Sequence, residues 1–253
     1  MPATVRLQRA STRGPRLTME DRDVAVQRDV RGRLVTLAAV FDGHGGPDVS
    51  DRAAAEFAPR FFTAVEAGGD VRDALERACA DVAAMCATHQ HVGSTACAAA
   101  VVDSRLTALW IGDSQIVVAT PRGLEAVGTP HRLDDGDERA RVLAAGAGID
   151  GPYLTRGDRG LMVTRAFGDA WFRPVGVVAE PATLALDLEP GVAHLVVIGT
   201  DGLWDVIAPE TTVQMIAAHE ARCGFDYARA LVDLALTSNT HDNVAVVTLE
   251  LRA

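Results

Sequence analysis

Several acidic residues in this chain fall where chemistry could use them. Asp42 closes the apolar run at residues 34–41 and is followed by Gly43-His44-Gly45-Gly46. Asp201 closes a second apolar run, 194–200, and is followed by Gly202. Glu20-Asp21 come just after the opening segment, Asp113 sits in a turn between two apolar runs, and Asp242 precedes the last one. Asp-Gly and Asn-Asp are ordinary turn pairs, so any one of these sites alone says little. The pairs at 42–43 and 201–202 say more, because each ends a strongly apolar run. Strand ends that meet at one rim of a sheet would gather their carboxylates, and such a cluster repels itself unless cations or protons neutralise it. Carboxylates, a backbone carbonyl beside glycine and water are hard oxygen donors, suited to Mg²⁺ or Mn²⁺ rather than Zn²⁺. Glu20, Asp42, Asp201 and Asp242 would formally balance two divalent ions. Two metals roughly 3.5–4 Å apart form the usual clamp for displacement at phosphorus.

That chemistry needs two more groups, a cation for the phosphate oxygens and an acid for the leaving alkoxide. Arg16, four residues before Glu20, has the planar fork that matches a phosphate. His44, two residues after Asp42, has a reference pKa near ~6.5 that suits proton donation around neutrality.

The elements that must position these groups can be read from periodicity. Residues 34–41 predict a buried strand running into a tight turn. Residues 48–65 and 70 to about 88 carry apolar side chains at helical spacing, with Asp70 as an N-cap. Residues 94–119 read as three short strands separated by Asp103-Ser104 and Gly112-Asp113-Ser114, a meander and hence antiparallel. Residues 134–145 predict a helix with an acidic start, and about 146–180 a glycine-rich irregular stretch of the length that usually carries function. Two more strands, helices near 209–219 and 226–237, and a last strand complete the order. This is not the βαβ alternation of a parallel sheet. It predicts antiparallel sheets with helices on their outer faces in one layered domain.

Composition narrows the function classes. The 253 residues are 48% hydrophobic and 23% charged, as in ordinary globular chains. A formal charge of −10 argues against a nucleic-acid binder. All 24 basic residues are arginine, which excludes Schiff-base, P-loop and kinase-strand lysines. Cys79, Cys86, Cys97 and Cys223 form no Cys-x-x-Cys clip and are too scattered for a disulfide scaffold, which fits a reducing cytoplasm. The first residues lack the apolar core of a signal peptide, and no apolar run approaches ~18 residues, so no membrane span is expected.

Seven blocks in order make the chain resemble the metal-dependent protein serine/threonine phosphatases (PPM, type 2C). They are Arg16-Leu17-Thr18-Met19-Glu20-Asp21, Phe41-Asp42-Gly43-His44-Gly45-Gly46, Gly93-Ser94-Thr95-Ala96, Gly112-Asp113-Ser114, Thr164-Arg165-Ala166-Phe167-Gly168-Asp169, Thr200-Asp201-Gly202-Leu203-Trp204-Asp205 and Asp242-Asn243-Val244. The resemblance implies an α+β fold, a four-layer α-β-β-α sandwich of two antiparallel β-sheets flanked by helix pairs. It implies a single catalytic domain over residues 1–253 with a flap at about 146–165. Asp42 would bridge two core ions, Mg²⁺ or Mn²⁺, with Gly43 lending its carbonyl. Asp201 and Asp242 would complete one metal, Glu20 would support the other, and Asp21 would act through water. Asp205 would stand behind the ligands, and Asp113 with Asp201 corresponds to a third, weaker metal site. Arg16 would bind the substrate phosphate and His44 would be the general acid. The implied activity is hydrolysis of phosphoserine and phosphothreonine in proteins by direct attack of metal-bound water, in a monomeric cytoplasmic enzyme opposing a Ser/Thr kinase. Neither a nucleic acid nor a membrane is an expected partner. Two departures stand out. Pro130 precedes His131 where the family usually has an acidic residue, and Thr164 stands for serine.

Other readings carry less. Cys223 to Arg229 has the Cys-x5-Arg spacing of a cysteine-dependent phosphatase. Its loop is poor in glycine, places Asp226 where phosphate would be repelled, and overlaps a helical pattern. His89-Gln90-His91 lacks a third metal ligand, and Asp134 to Glu138 lacks the spacing of a calcium loop and reads as a helix start. A phosphatase of small phosphometabolites would use the same metals. An inactive phosphatase-like binding module should have lost a ligand, and every expected ligand is present.

Overall fold

The computed structural model describes residues 4–219 and 224–252. Two five-stranded antiparallel sheets lie face to face. The first runs, edge to edge, Ala182–Asp187, Arg105–Ile111, Ala96–Val102, Arg33–Phe41 and Arg22–Val30. The second runs Thr4–Thr12, Val244–Arg252, His194–Gly199, Gln115–Thr120 and Gly123–Val127. Helices Asp48–Glu66 and Val71–Cys86 cover the first sheet, and Glu210–His219 and Tyr227–Thr237 the second. This is the four-layer α-β-β-α order that the family resemblance implies, with helices on the outer faces as the periodicity predicts.

The unbroken apolar runs are explained by burial on both strand faces. In Arg33–Phe41, side chains alternate. Ala38 and Val40 point to the second sheet, where they meet the layer containing Val118, Ile198 and Val247. Leu37, Ala39 and Phe41 point outward to Phe57, Phe61, Phe62 and Leu75 of the helix pair. The second sheet does the same, with Val117, Val197 and Val246 packed against Trp204, Ile216, Leu231 and Val232. A polar outer face is therefore missing, and the period-two signal with it. Asp70 caps its helix as expected, accepting from the Arg72 backbone N–H.

Two expectations need correction. The meander holds for Ala96–Val102 and Arg105–Ile111, which pair antiparallel, but not for the third strand. Gly112-Asp113-Ser114 carries the chain from one sheet to the other, and Gln115–Thr120 pairs with His194–Gly199 and Gly123–Val127 instead. The turn lies where its residues predict, but a short polar turn does not by itself say whether the next strand folds back or crosses over. Residues 146–180 are also less irregular than expected. Gly148–Asp150, Tyr153–Arg156 and Arg159–Leu161 form a small antiparallel sheet. A 3-10 turn, Ala170–Val175, follows. These strands are only three or four residues long, too short for periodicity to show.

Cys223 lies outside the described residues. Asp226 caps the helix Tyr227–Thr237 and Arg229 pairs with Asp233 inside it, so that part of the Cys-x5-Arg pattern is helical. No helix among the described residues is long and apolar enough to cross a membrane.

Candidate active site

The strand ends meet at one rim. Asp42 follows the end of its strand, Asp113 lies in the crossover turn, and Asp201 begins a short helix after its strand. One carboxylate oxygen from each lies within 4.8 Å of the others. They line a cavity of about 520 Å³ together with Arg16, Glu20, Gly43, His44 and Asp242, and with Tyr153 and Arg159 of the small sheet and Met162 just after it. Eight of the nine expected site residues thus share one cavity. Asp21 does not line it. Its buried carboxylate sits behind, accepting from the Thr200 hydroxyl at 2.8 Å.

Local bonding fixes each of these positions. The Asp42 backbone N–H donates to the Thr95 hydroxyl at 3.1 Å, the Thr95 N–H donates to the Asp42 carbonyl, and the Thr95 and Ser114 hydroxyls are 2.7 Å apart. Thr95 therefore locks the Asp42 turn to the Asp113 turn. Asn243 accepts from the Glu20 N–H at 2.7 Å and donates to the carbonyls of Arg13 and Thr18. It staples the Arg16–Glu20 loop to the start of the last strand. Gly202 leaves room for that strand end, since a Cβ there would lie 1.9 Å from the Asn243 carbonyl oxygen. Glu20 accepts from the Gly46 N–H at 3.0 Å, which aims its carboxylate across the glycine-rich turn.

His44 has a defined partner, with its Nε2 2.6 Å from Asp169 Oδ2. Gly93 lies under the pair, where a Cβ would come 2.1 Å from Asp169 Oδ2 and 2.3 Å from His44 Nε2. Burial alone would depress the His44 pKa, but the hydrogen bond and charge of Asp169 outweigh it and raise it. Arg16 lies at the wall with its Nε on the His241 carbonyl (2.9 Å) and its Nη2 on Asp242 (2.5 Å).

The electrostatics are those of a site built for cations. Burial, then the charges of Asp201, Asp21, Asp113 and Asp242, push the Asp42 carboxyl well above the usual range. Burial with its acidic neighbours raises Asp201 to about 8. Burial raises Asp21 to about 7 despite the Thr200 bond. The donors are all hard oxygens, and convergent carboxylates whose ionisation costs this much fit divalent metal as counter-charge.

Arg132 also belongs to the site, contacting Asp113, Asp201 and Asp205. Neither it nor Asp169, Thr95 and Asn243 received a role from the sequence. The last three stand inside the recognised blocks, so a signal exists for them. For Arg132 the only pointer is its place beside the atypical Pro130-His131. Thr164 keeps the hydroxyl of the serine it replaces, donating to Glu138. His131 accepts from the Gly112 N–H at 3.1 Å, and burial together with Arg165 holds it neutral, at about 4.

Layered fold and acidic rim together present a cavity whose carboxylates could hold a divalent metal. The family model for Protein phosphatase 2C matches residues 6–244. Probable protein phosphatase 2C 69 of Arabidopsis thaliana is 31% identical over 94% of this chain and 68% of its own length. Probable protein phosphatase 2C 76 of the same plant is 31% identical over 96% of this chain and 58% of its own. A solved structure of a Caenorhabditis elegans sex determining protein superposes with a TM-score of 0.83 at 26% identity, covering 97% of this chain and 64% of that one. Serine-threonine phosphatase 2C from Toxoplasma gondii shares the fold at a TM-score of 0.82 and 21% identity, over 100% of this chain and 98% of that one. The chain belongs to the protein phosphatase 2C family, whose members are hydrolases acting on phosphoproteins.

Proposed function

We propose that this chain is a Mg²⁺- or Mn²⁺-dependent phosphatase of phosphoserine and phosphothreonine in proteins, working as one catalytic domain with residues 146–165 as its flap. The observation that carries this reading is the convergence of Asp42, Asp113 and Asp201 within 4.8 Å at the floor of a cavity that Glu20, Asp242, Arg16 and His44 wall. Asp42, Gly43, Glu20, Asp201 and Asp242 would hold two ions, with Asp21 supporting Asp42 from behind. Such ions, when bound, neutralise phosphate charge and acidify water into a nucleophile at neutral pH.

The chain's own groups do the rest. Arg16, 56% exposed in its side chain, can turn its fork from Asp242 to two phosphate oxygens. His44 supplies the proton. Water oxygen bonds to phosphorus, the bond from phosphorus to the seryl or threonyl oxygen breaks, and that oxygen takes a proton from the ring. With Nε2 held by Asp169, Nδ1 is the nitrogen left to give up the proton. Asp169 stabilises the protonated ring and fixes its orientation. The enzyme would act in the cytoplasm as a monomer, opposing a Ser/Thr kinase.

The assay is direct. Purified protein should release phosphate from a phosphothreonine peptide with Mn²⁺ and stop with EDTA. Turnover that persists in EDTA, or confined to small phosphometabolites, would refute the reading. His44→Ala should lower kcat by roughly 10²-fold on an alkyl phosphate and much less on an aryl phosphate with a good leaving group. Equal losses on both would remove His44 from the proton-transfer role.

A further inference from the structure

Asp113, Asp201 and Asp205 converge on a cation that the protein itself supplies. Three different nitrogens of one guanidinium reach three different carboxylates. Arg132 Nε lies 2.6 Å from Asp113 Oδ2, Nη2 lies 3.1 Å from Asp201 Oδ2, and Nη1 lies 2.9 Å from Asp205 Oδ1. Only the planar, five-donor fork of arginine can do this; an ammonium group is a point charge.

We infer that Arg132 takes the place of a third divalent ion between Asp113, Asp201 and Asp205, so that the site closes with two metal ions and one resident guanidinium. This rests on the reading of the rim as a divalent-metal centre.

Geometry holds the guanidinium there. The Arg132 backbone makes an antiparallel bridge to Val163. On its flank, the His131 N–H donates to the Gly112 carbonyl at 2.9 Å and the Thr164 N–H donates to the His131 carbonyl at 2.9 Å. The His131 ring stacks on Trp110 and accepts from the Gly112 N–H. Arg132 is therefore tied to the turn that carries Asp113, one of its own partners. Asp113 is 3% exposed, so its charge needs a close partner rather than solvent.

The charges need no third metal. Glu20, Asp21, Asp42, Asp113, Asp201, Asp205 and Asp242 offer at most seven negative charges. Two divalent ions with the guanidinium groups of Arg16 and Arg132 supply six positive ones. A third divalent ion with Arg132 in place would leave an excess positive charge and would have to displace three charge-assisted hydrogen bonds.

The test counts ions on the full chain by equilibrium dialysis against Mn²⁺ with metal analysis, in parallel with thermal unfolding. Wild type should bind two Mn²⁺. Arg132→Gln should bind a third, at least about tenfold more tightly than wild type does. In EDTA the variant should melt below wild type, because three carboxylates lose their partner, and Mn²⁺ should restore most of the loss. A third ion on wild type, with affinity like the first two, overturns the inference whether or not the variant folds. Two ions on both proteins, or equal melting in EDTA, also overturns it while leaving the metal centre intact. No ion on either folded protein overturns the metal assignment itself.

Discussion

Asp42→Asn should lower Mn²⁺-dependent turnover on the order of 10³-fold or more, and yet make the metal-free protein more stable. The two effects share one cause. Asp42 stands among Asp201, Asp21, Asp113 and Asp242, and burial with their charges drives its carboxyl far up. With ions bound, that convergence is what binds them; without ions, it is a repulsion stored in the fold. Asparagine keeps the shape and removes the charge. In EDTA the variant should melt above wild type, and in Mn²⁺ below it. A variant that melts lower in both conditions would show that the rim is not under repulsion.

The same carboxylates set a pH dependence for the metal-free wild type. Asp21 lies at about 7 and Asp201 at about 8, both raised above the unfolded value of 3.8. A raised carboxyl means that the folded state binds more protons than the unfolded state. The rim's contribution to stability should therefore be full below pH ~4 and be lost as pH rises towards 8. Melting in EDTA at pH 5 and pH 8 reads this directly, and Asp42→Asn should shrink the difference.

Glu138→Gln is the substitution expected to cost most in stability, on the order of 3 kcal/mol. The 4% exposed carboxylate receives Arg165 through Nε at 3.0 Å and Nη2 at 2.6 Å, Arg141 through Nη2 at 2.5 Å, and the Thr164 hydroxyl. Burial opposes its ionisation, but these partners win and hold it at about 2, below its ordinary 4.5. Glutamine keeps one acceptor oxygen, turns an NH2 donor towards the partners of the other, and leaves both cations without a counter-charge. Glu138 lies on the helix Gly136–Ala144, whereas Thr164 and Arg165 follow the small sheet that ends at Leu161, so the variant should also loosen the root of that sheet and raise KM. The sign of its pH dependence is opposite to that of the rim. A depressed carboxyl contributes stability above its unfolded pKa, and this is lost as pH falls from about 4.5 towards 2. Denaturant melts at pH 7 and pH 3 should show wild type converging on the variant at the acid end. A variant within about 0.5 kcal/mol of wild type at pH 7, as for a neutral surface change, would contradict the account.

Much of the site is legible in the sequence because metal chemistry constrains residue type so tightly. An aspartate at the end of an apolar strand, followed by glycine, has few reasons to recur, and Asp42 and Asp201 both meet that description. Their convergence with Asp113 and Asp242 follows from antiparallel strands sharing a rim. The helices are legible for the usual reason, a 3.6-residue period with a capping Asp70.

What the chain alone determined, then, was the chemistry available and the layers that present it, because side-chain type and hydrophobic period are local properties. Tertiary structure decided which neighbours each charge receives. The crossover at Gly112-Asp113-Ser114 sends consecutive strands into different sheets, and so places Asp113 within reach of Asp201 and beside Arg132. By sequence Arg132 resembles any surface arginine, Glu138 a helix-start charge and Asp169 the end of a motif. Each acquires its role from a partner dozens of residues away or across a bend. Electrostatic energy depends on distance in space and on burial, and neither is written in the order of residues.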